Sequence, residues 1–190
     1  MLQIILLSVA GVLGLWSGYT VLYEGNLETP KYSVLEKDGR FELRAYSAFR
    51  IAQTQRGTGD AELRQGFRTV ARYIFGGNAD NKSLSMTAPV IQENRADGMN
   101  VSFVMSAKEA QLPEPNSRDV SLSAVSWGRV ASIRFSGYGT QEKFLAHETQ
   151  LREWLEQKGW AIRGNGIYAQ YNSPSAFPPL RRNEVLFLLE

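Results

Sequence analysis

The chain has 190 residues, which leaves room for one soluble domain of about 150 residues beside a hydrophobic N-terminal tract. Apolar residues at 43% and charged residues at 21% exclude a disordered chain. The formal charge of +2 comes from interspersed side chains with no basic run longer than Arg181-Arg182, which argues against nucleic acid as a partner, and the lack of cysteine excludes disulfides, zinc thiolate sites, iron–sulfur clusters and c-type heme attachment.

From Met1 to Tyr23 no side chain is charged and most are aliphatic. About 20 apolar residues at 1.5 Å each span roughly 30 Å of hydrocarbon, and Trp16, Tyr19 and Tyr23 fall where aromatic rings favour the headgroup region. Residues 1–23 are therefore expected to be a single-pass membrane anchor or uncleaved signal, with the lipid bilayer as partner. A cleaved signal would need a basic start and a small-x-small site, and neither precedes Glu24. Lys31, Lys37, Arg40 and Arg44 follow the tract mixed with acidic residues, so the side of the membrane is left unset.

Residues 24–31 read as a polar linker and 32–190 as the folded domain. Phe41, Leu43 and Ala45 alternate with polar neighbours, a period of two that predicts a strand, and Phe49 to Gln55 predicts another. Gly57-Thr58-Gly59-Asp60 turns the chain. Leu63, Phe67, Val70, Ala71 and Ile74 then recur at spacings of three and four before Gly76-Gly77, predicting an amphipathic helix. Strands are expected at Leu84 to Ile91 and Met99 to Ser106. The plan repeats with a strand at Val130 to Ser136, a Gly137-Tyr138-Gly139-Thr140 turn, a helix from Gln141 to Lys158, and strands at Ile167 to Tyr171 and Glu184 to Leu189. At an offset of 80 residues Gly57 meets Gly137 and Gly59 meets Gly139. The expected architecture is α+β: two pseudosymmetric strand-helix-strand-strand repeats forming a distorted antiparallel barrel flanked by two helices and preceded by one transmembrane helix.

Two segments carry no chemistry derivable from their residues. Met86-Thr87-Ala88-Pro89-Val90 reads as an edge or bulged strand, and Arg181-Arg182-Asn183-Glu184-Val185 as a polar turn with a structural ion pair feeding the last strand. Together they resemble the signatures of the SOUL heme-binding proteins. Tyr73-Ile74-Phe75-Gly76-Gly77-Asn78 is similar to that family's first-helix ending and Ala146-His147-Glu148-Thr149-Gln150-Leu151-Arg152 to its second helix. The resemblance runs from about Tyr32 to Leu189.

The resemblance implies noncovalent binding of heme or another porphyrin, for transport or buffering at a membrane. It implies an apolar groove at Leu63, Phe67, Val70 and Ala71, with Arg72 for a propionate and Phe177, in the Ser173 to Leu180 loop, as an aromatic wall. A tetrapyrrole presents a wide apolar face and two carboxylates, which suits this pattern. Helix docking on the sheet uses the same apolar residues, so each of these positions has a core reading beside the groove reading. Where family members are proposed to use an axial His, the matching stretch Ala45 to Gln55 has none, so the ring is expected to be held by its faces and propionates, with or without a Tyr or Met near iron. The one histidine, His147, is a weak metal candidate and the counterpart of Phe67 at the 80-residue offset.

Two other readings stand beside this one. The first is a module of the same fold for a different amphipathic ligand or a protein partner. The second is a small hydrolase-like enzyme using Glu93, Glu142 or Glu184, although no Gly-x-Ser-x-Gly, Walker or His-Glu-x-x-His pattern is present. A binding role without catalysis is expected.

Overall fold

The computed structural model describes residues 15–190. Residues 15–22 are helical and a short 3-10 turn, Glu24–Asn26, follows. Among the described residues no helix is long and apolar enough to cross a membrane. Residues 1–14 of the expected anchor lie outside the described residues.

Strands β1 (Tyr32–Asp38), β2 (Phe41–Tyr46) and β3 (Phe49–Arg56) lead into helix α1 (Asp60–Ile74). Strands β4 (Val90–Arg95), β5 (Gly98–Met105), β6 (Ser121–Val125) and β7 (Gly128–Phe135) lead into helix α2 (Gln141–Lys158), and β8 (Ile162–Gln170) and β9 (Asn183–Leu189) end the chain. All strand pairings are antiparallel, in the order β1-β2-β7-β9-β8-β4-β5-β3-β6.

That order has a pseudo-two-fold centre between β8 and β4, which pair from Val90↔Gln170 to Glu93↔Ile167. Walking outward, β9 answers β5 and β7 answers β3. Next come β2 beside β7 and β6 beside β3, so each half lends its leading strand to the other. Phe41 and Ser121 begin these lent strands, again 80 positions apart. The expected duplication is thus visible in the topology. The expected barrel is not: β1 and β6 are edges without a mutual pairing, so the sheet stays open. Both edges are poor templates for closure. β1 carries a bulge between Val34 and Glu36, and β6 is only 5 residues long.

The two helices cover the same face of the sheet. Phe144, Leu151, Trp154 and Leu155 of α2 pack on Ile133, Tyr168, Val185 and Phe187. Val70, Tyr73 and Ile74 of α1 pack on Ala52, Phe103 and Met105. Gly66 makes the second contact possible, because a Cβ there would lie 2.8 Å from Val101 Cγ2. On the opposite face Tyr46, Ile91, Val104, Ile167, Ala169 and Leu186 form a third cluster.

Three strands differ from expectation: β6 is absent from the expected set, and the other two differ for local reasons. β1 is not among the expected strands because the bulge turns Val34 and Leu35 both outward, 48% and 53% exposed, and destroys its period of two. The segment expected as a strand from Leu84 joins the ladder only at Val90. Before that its backbone bonds elsewhere, Leu84 N–H donating to Ile74 O at 2.8 Å and Ala88 N–H to Glu28 O at 2.9 Å.

Candidate functional site

Docking α1 through Gly66, Val70, Tyr73 and Ile74 leaves another of its faces outward. Leu63, Phe67, Ala71 and Phe75, each four residues on from the last, share one stripe along it. Leu63 and Ala71 are half-buried, while Phe67 and Phe75 are 41% and 64% exposed. Phe67 leans on Phe103 of the sheet with ring centroids 5.0 Å apart. One position further round lie Arg64, Arg68 and Arg72, all exposed. None of the three forms an ion pair among the described residues. Exposed apolar rings beside a row of uncompensated guanidinium groups form an amphipathic surface, and its arginine spacing is readable in the sequence. Arg64, Arg68 and Phe75 were nevertheless not among the expected site residues.

At its N-terminal end the stripe runs into a cleft over the β4–β8 seam. Leu63, Gln92, Met99, Phe144, Tyr168 and Gln170 line it together with the two Gly-x-Gly turns. Its volume of about 170 Å³ is below the roughly 300–1,000 Å³ of sites that enclose a small molecule, so it can take only the edge of a larger ligand. The Tyr168 hydroxyl donates to Glu148 at 2.6 Å, and burial followed by that bond pushes its pKa up, keeping it a neutral phenol.

The expected site residues do not all come together. Val70 is fully buried beneath α1, in the core and away from the exposed stripe. Phe177 packs against Trp16 of the N-terminal helical stretch, centroids 5.0 Å apart, and its N–H donates to Thr20 Oγ1 at 2.9 Å. Its loop reaches the turn before α2: Gly137 N–H donates to Pro178 O at 3.0 Å and the Arg181 guanidinium lies 4.6 Å over the Tyr138 ring. Glu24, also buried, accepts from Asn172 Nδ2, the Ser173 hydroxyl and Ser173 N–H. The Asn172–Phe177 loop is thus fastened to residues 16–24, a long-range contact with no local signal in the sequence.

His147 lies flat on Phe135, centroids 4.1 Å apart, with Nδ1 2.6 Å from the Lys143 carbonyl. Among the described residues no group of three or more His, Asp or Glu side chains could hold a metal ion. Of the candidate carboxylates, Glu142 is exposed in the first turn of α2, Glu93 pairs with Arg95 at 2.9 Å, and Glu184 is fully buried.

Both signature segments carry structural bonds. Glu184 accepts from Arg44 at 2.7 and 3.0 Å, from the Tyr171 hydroxyl at 2.9 Å and from Arg182 Nε at 2.9 Å. Burial favours its neutral form, but the Arg44 bond and the charges of Arg44 and Arg182 outweigh it and hold the carboxyl below its ordinary range. The same burial pushes Tyr46 up to about 12. Asn183 Nδ2 donates to Gly137 O at 3.0 Å, fixing the second Gly-x-Gly turn, and Thr87 Oγ1 donates to Val104 O at 2.5 Å.

Two strand–helix–strand–strand halves on one open sheet define the class of fold. A family model described as SOUL heme-binding protein matches residues 27–188, and the chain belongs to that family. Among its relatives, Heme-binding protein 1 of Mus musculus is 28% identical over 176 residues, covering 85% of this chain and 92% of the relative. Heme-binding protein 1 of Xenopus laevis is 28% identical over 168 residues, covering 80% and 86%. Among solved structures, the C-terminal domain of EcmrR matches with TM-score 0.62 at 10% identity over 84% of this chain and 98% of that one. A hydrolase from Listeria innocua matches with TM-score 0.58 at 9% identity over 82% and 94%. The two structures share the fold alone.

Proposed function

We propose that this protein binds heme or a related tetrapyrrole noncovalently on the outer stripe of α1, and carries or buffers it at a membrane through residues 1–23. The observation that carries the reading is the Leu63, Phe67, Ala71 and Phe75 strip beside Arg64, Arg68 and Arg72. A porphyrin is a flat apolar plate with two carboxylates on one edge. Laid on the strip it covers the two exposed phenylalanines, and its carboxylates meet guanidinium groups that form charge-assisted bonds. The small cleft at Leu63 receives one rim of the plate. Family membership and the names of the relatives point to the same ligand.

The stripe contains no His, Met or Tyr, so iron has no ligand from it and binding depends on the ring and its carboxylates. Metal-free protoporphyrin is then expected to bind about as well as hemin. A role in binding, not turnover, accords with candidate carboxylates that are paired, buried or fully solvated. The membrane part of the reading rests on the uncharged 1–23 tract and on Leu15, Val21 and Leu22, which point outward at the end of it that is described.

Titrating the full chain with hemin, followed by Soret absorbance and Trp quenching, tests the reading. Saturable one-to-one binding that Phe67→Asp weakens about tenfold or more is the expected result. Binding that does not saturate, or that ignores the substitution, removes the tetrapyrrole from this stripe.

A further inference from the structure

A large concavity lies apart from α1, where the segment leaving the N-terminal helical stretch crosses the end of the sheet. Its volume is about 840 Å³, within the roughly 300–1,000 Å³ of small-molecule sites. Leu27, Pro30, Phe49, Met86 and Val104 supply an apolar lining, and Met86 is 43% exposed there. Three cations, Lys31, Arg50 and Lys108, face one carboxylate, Glu28.

That carboxylate is already engaged. Glu28 accepts from the Ser106 hydroxyl and from Ala107 N–H, both at 2.6 Å. Arg50 is partly engaged, its Nη2 donating to the Ser106 and Glu109 carbonyls. Lys31 and Lys108 are exposed and form no ion pair among the described residues, so two ammonium groups remain at the rim of an apolar groove.

We infer that this groove is a second binding site, for a long-chain fatty-acid carboxylate whose head lies between Lys31 and Lys108 and whose chain runs over Met86, Phe49 and Leu27. The chemistry favours a carboxylate over a phosphate head. Phosphate sites use a guanidinium fork or converging backbone N–H groups, and here the one guanidinium, Arg50, is held at Nη2 by two carbonyls, so the cations left at the rim are single-point ammonium groups. A flexible single chain can follow the apolar wall that Leu27, Phe49 and Met86 provide. The position also suits a ligand delivered from a bilayer: Asn26, on the groove wall, donates to Leu22 O at 2.7 Å, at the end of the stretch that turns Leu15, Val21 and Leu22 outward. The inference is independent of tetrapyrrole binding at α1.

Equilibrium dialysis of the full chain against radiolabelled oleate, with and without unlabelled competitors, tests it. The expected result is saturable one-to-one binding that oleate displaces and oleyl alcohol displaces at least about tenfold less well. Lys31→Glu with Lys108→Glu should weaken oleate about tenfold, the scale of losing two partly solvated charge contacts, and leave hemin unchanged. Met86→Glu should weaken oleate with both lysines in place, and Arg68→Glu should leave it unaltered. Both lysines are exposed, so circular dichroism of the double variant should match the parent. Absence of saturable oleate binding, equal displacement by the alcohol, indifference to the lysine reversals, or stoichiometric displacement by hemin would each overturn the second site.

Discussion

Arg44 and Glu184, 140 positions apart, meet at 2.7 and 3.0 Å with 3% and 0% of their side chains exposed. The pair crosses from β2 to the last strand without being adjacent in the ladder, and Tyr171 and Arg182 complete the shell of donors around the carboxylate. A buried ion pair of this kind is a weak source of net stability, yet removing one member leaves the other buried with a single charged partner, Glu42 for Arg44 and Arg182 for Glu184, each at 2.8 Å.

Glu184→Gln is accordingly expected to destabilise the domain by about 3–5 kcal/mol, and Arg44→Met by a similar amount. The paired substitution should cost much less than the sum. A double-mutant cycle by urea unfolding measures this coupling, and additive single-site losses would show that the two groups do not depend on each other.

The same carboxyl sets the acid limb. Its folded pKa is depressed below 4.5, so its stabilising contribution is complete above that pH and is lost as pH falls through the folded value. Glu28 and Glu42 are shifted in the same direction, the Ser106 and Ala107 bonds and the Arg44 and Lys37 bonds respectively outweighing their burial. Stability should therefore decline below about pH 4.5, and Glu184→Gln should flatten that decline. An unchanged acid limb in the variant would place the titration elsewhere.

Charge at Arg64, Arg68 and Arg72 should govern discrimination between porphyrin acids and esters. The parent is expected to bind protoporphyrin at least about tenfold more tightly than its dimethyl ester at low salt, a margin that shrinks with added salt. Reversing Arg64 and Arg68 to Glu should abolish the margin by weakening the acid and sparing the ester. Equal loss for both ligands would mean that the arginines act only through packing.

The latch between residues 16–24 and the Asn172–Phe177 loop gives a prediction about motion. Glu24→Ala leaves the loop N–H of Ser173 and the Asn172 amide without their acceptor. Amide exchange across residues 172–177 should accelerate while β8 and β9 stay protected. Unaltered loop exchange would show the latch to be dispensable.

His147→Ala should leave the Soret maximum of bound hemin in place and cost about 1 kcal/mol of stability through the lost stack on Phe135. A displaced maximum would assign the imidazole to the iron.

Much of this fold is legible in local patterns. Both helices are bounded by turn residues, and α2 begins at Gln141 and ends at Lys158 because Thr140 caps its first turn and Gly159 takes a left-handed conformation after it. The duplication is readable from the Gly57/Gly137 and Gly59/Gly139 matches, but the exchange of β2 and β6 is not, since pairing partners are set by tertiary packing. At the site, Leu63, Phe67 and Ala71 follow from helical spacing, whereas Arg72 enters only through the family resemblance. Val70 is indistinguishable from its neighbours until the buried face is known, and Phe177 is committed to Trp16 by a contact spanning more than 150 residues.

The most direct test of tetrapyrrole binding at α1 is amide chemical-shift mapping of the full chain with diamagnetic zinc protoporphyrin. Shifts centred on residues 60–75, with the turn at residues 136–140 as a second focus, are the predicted result. Shifts centred on residues 26–31 and 104–108, or confined to α2, would contradict it.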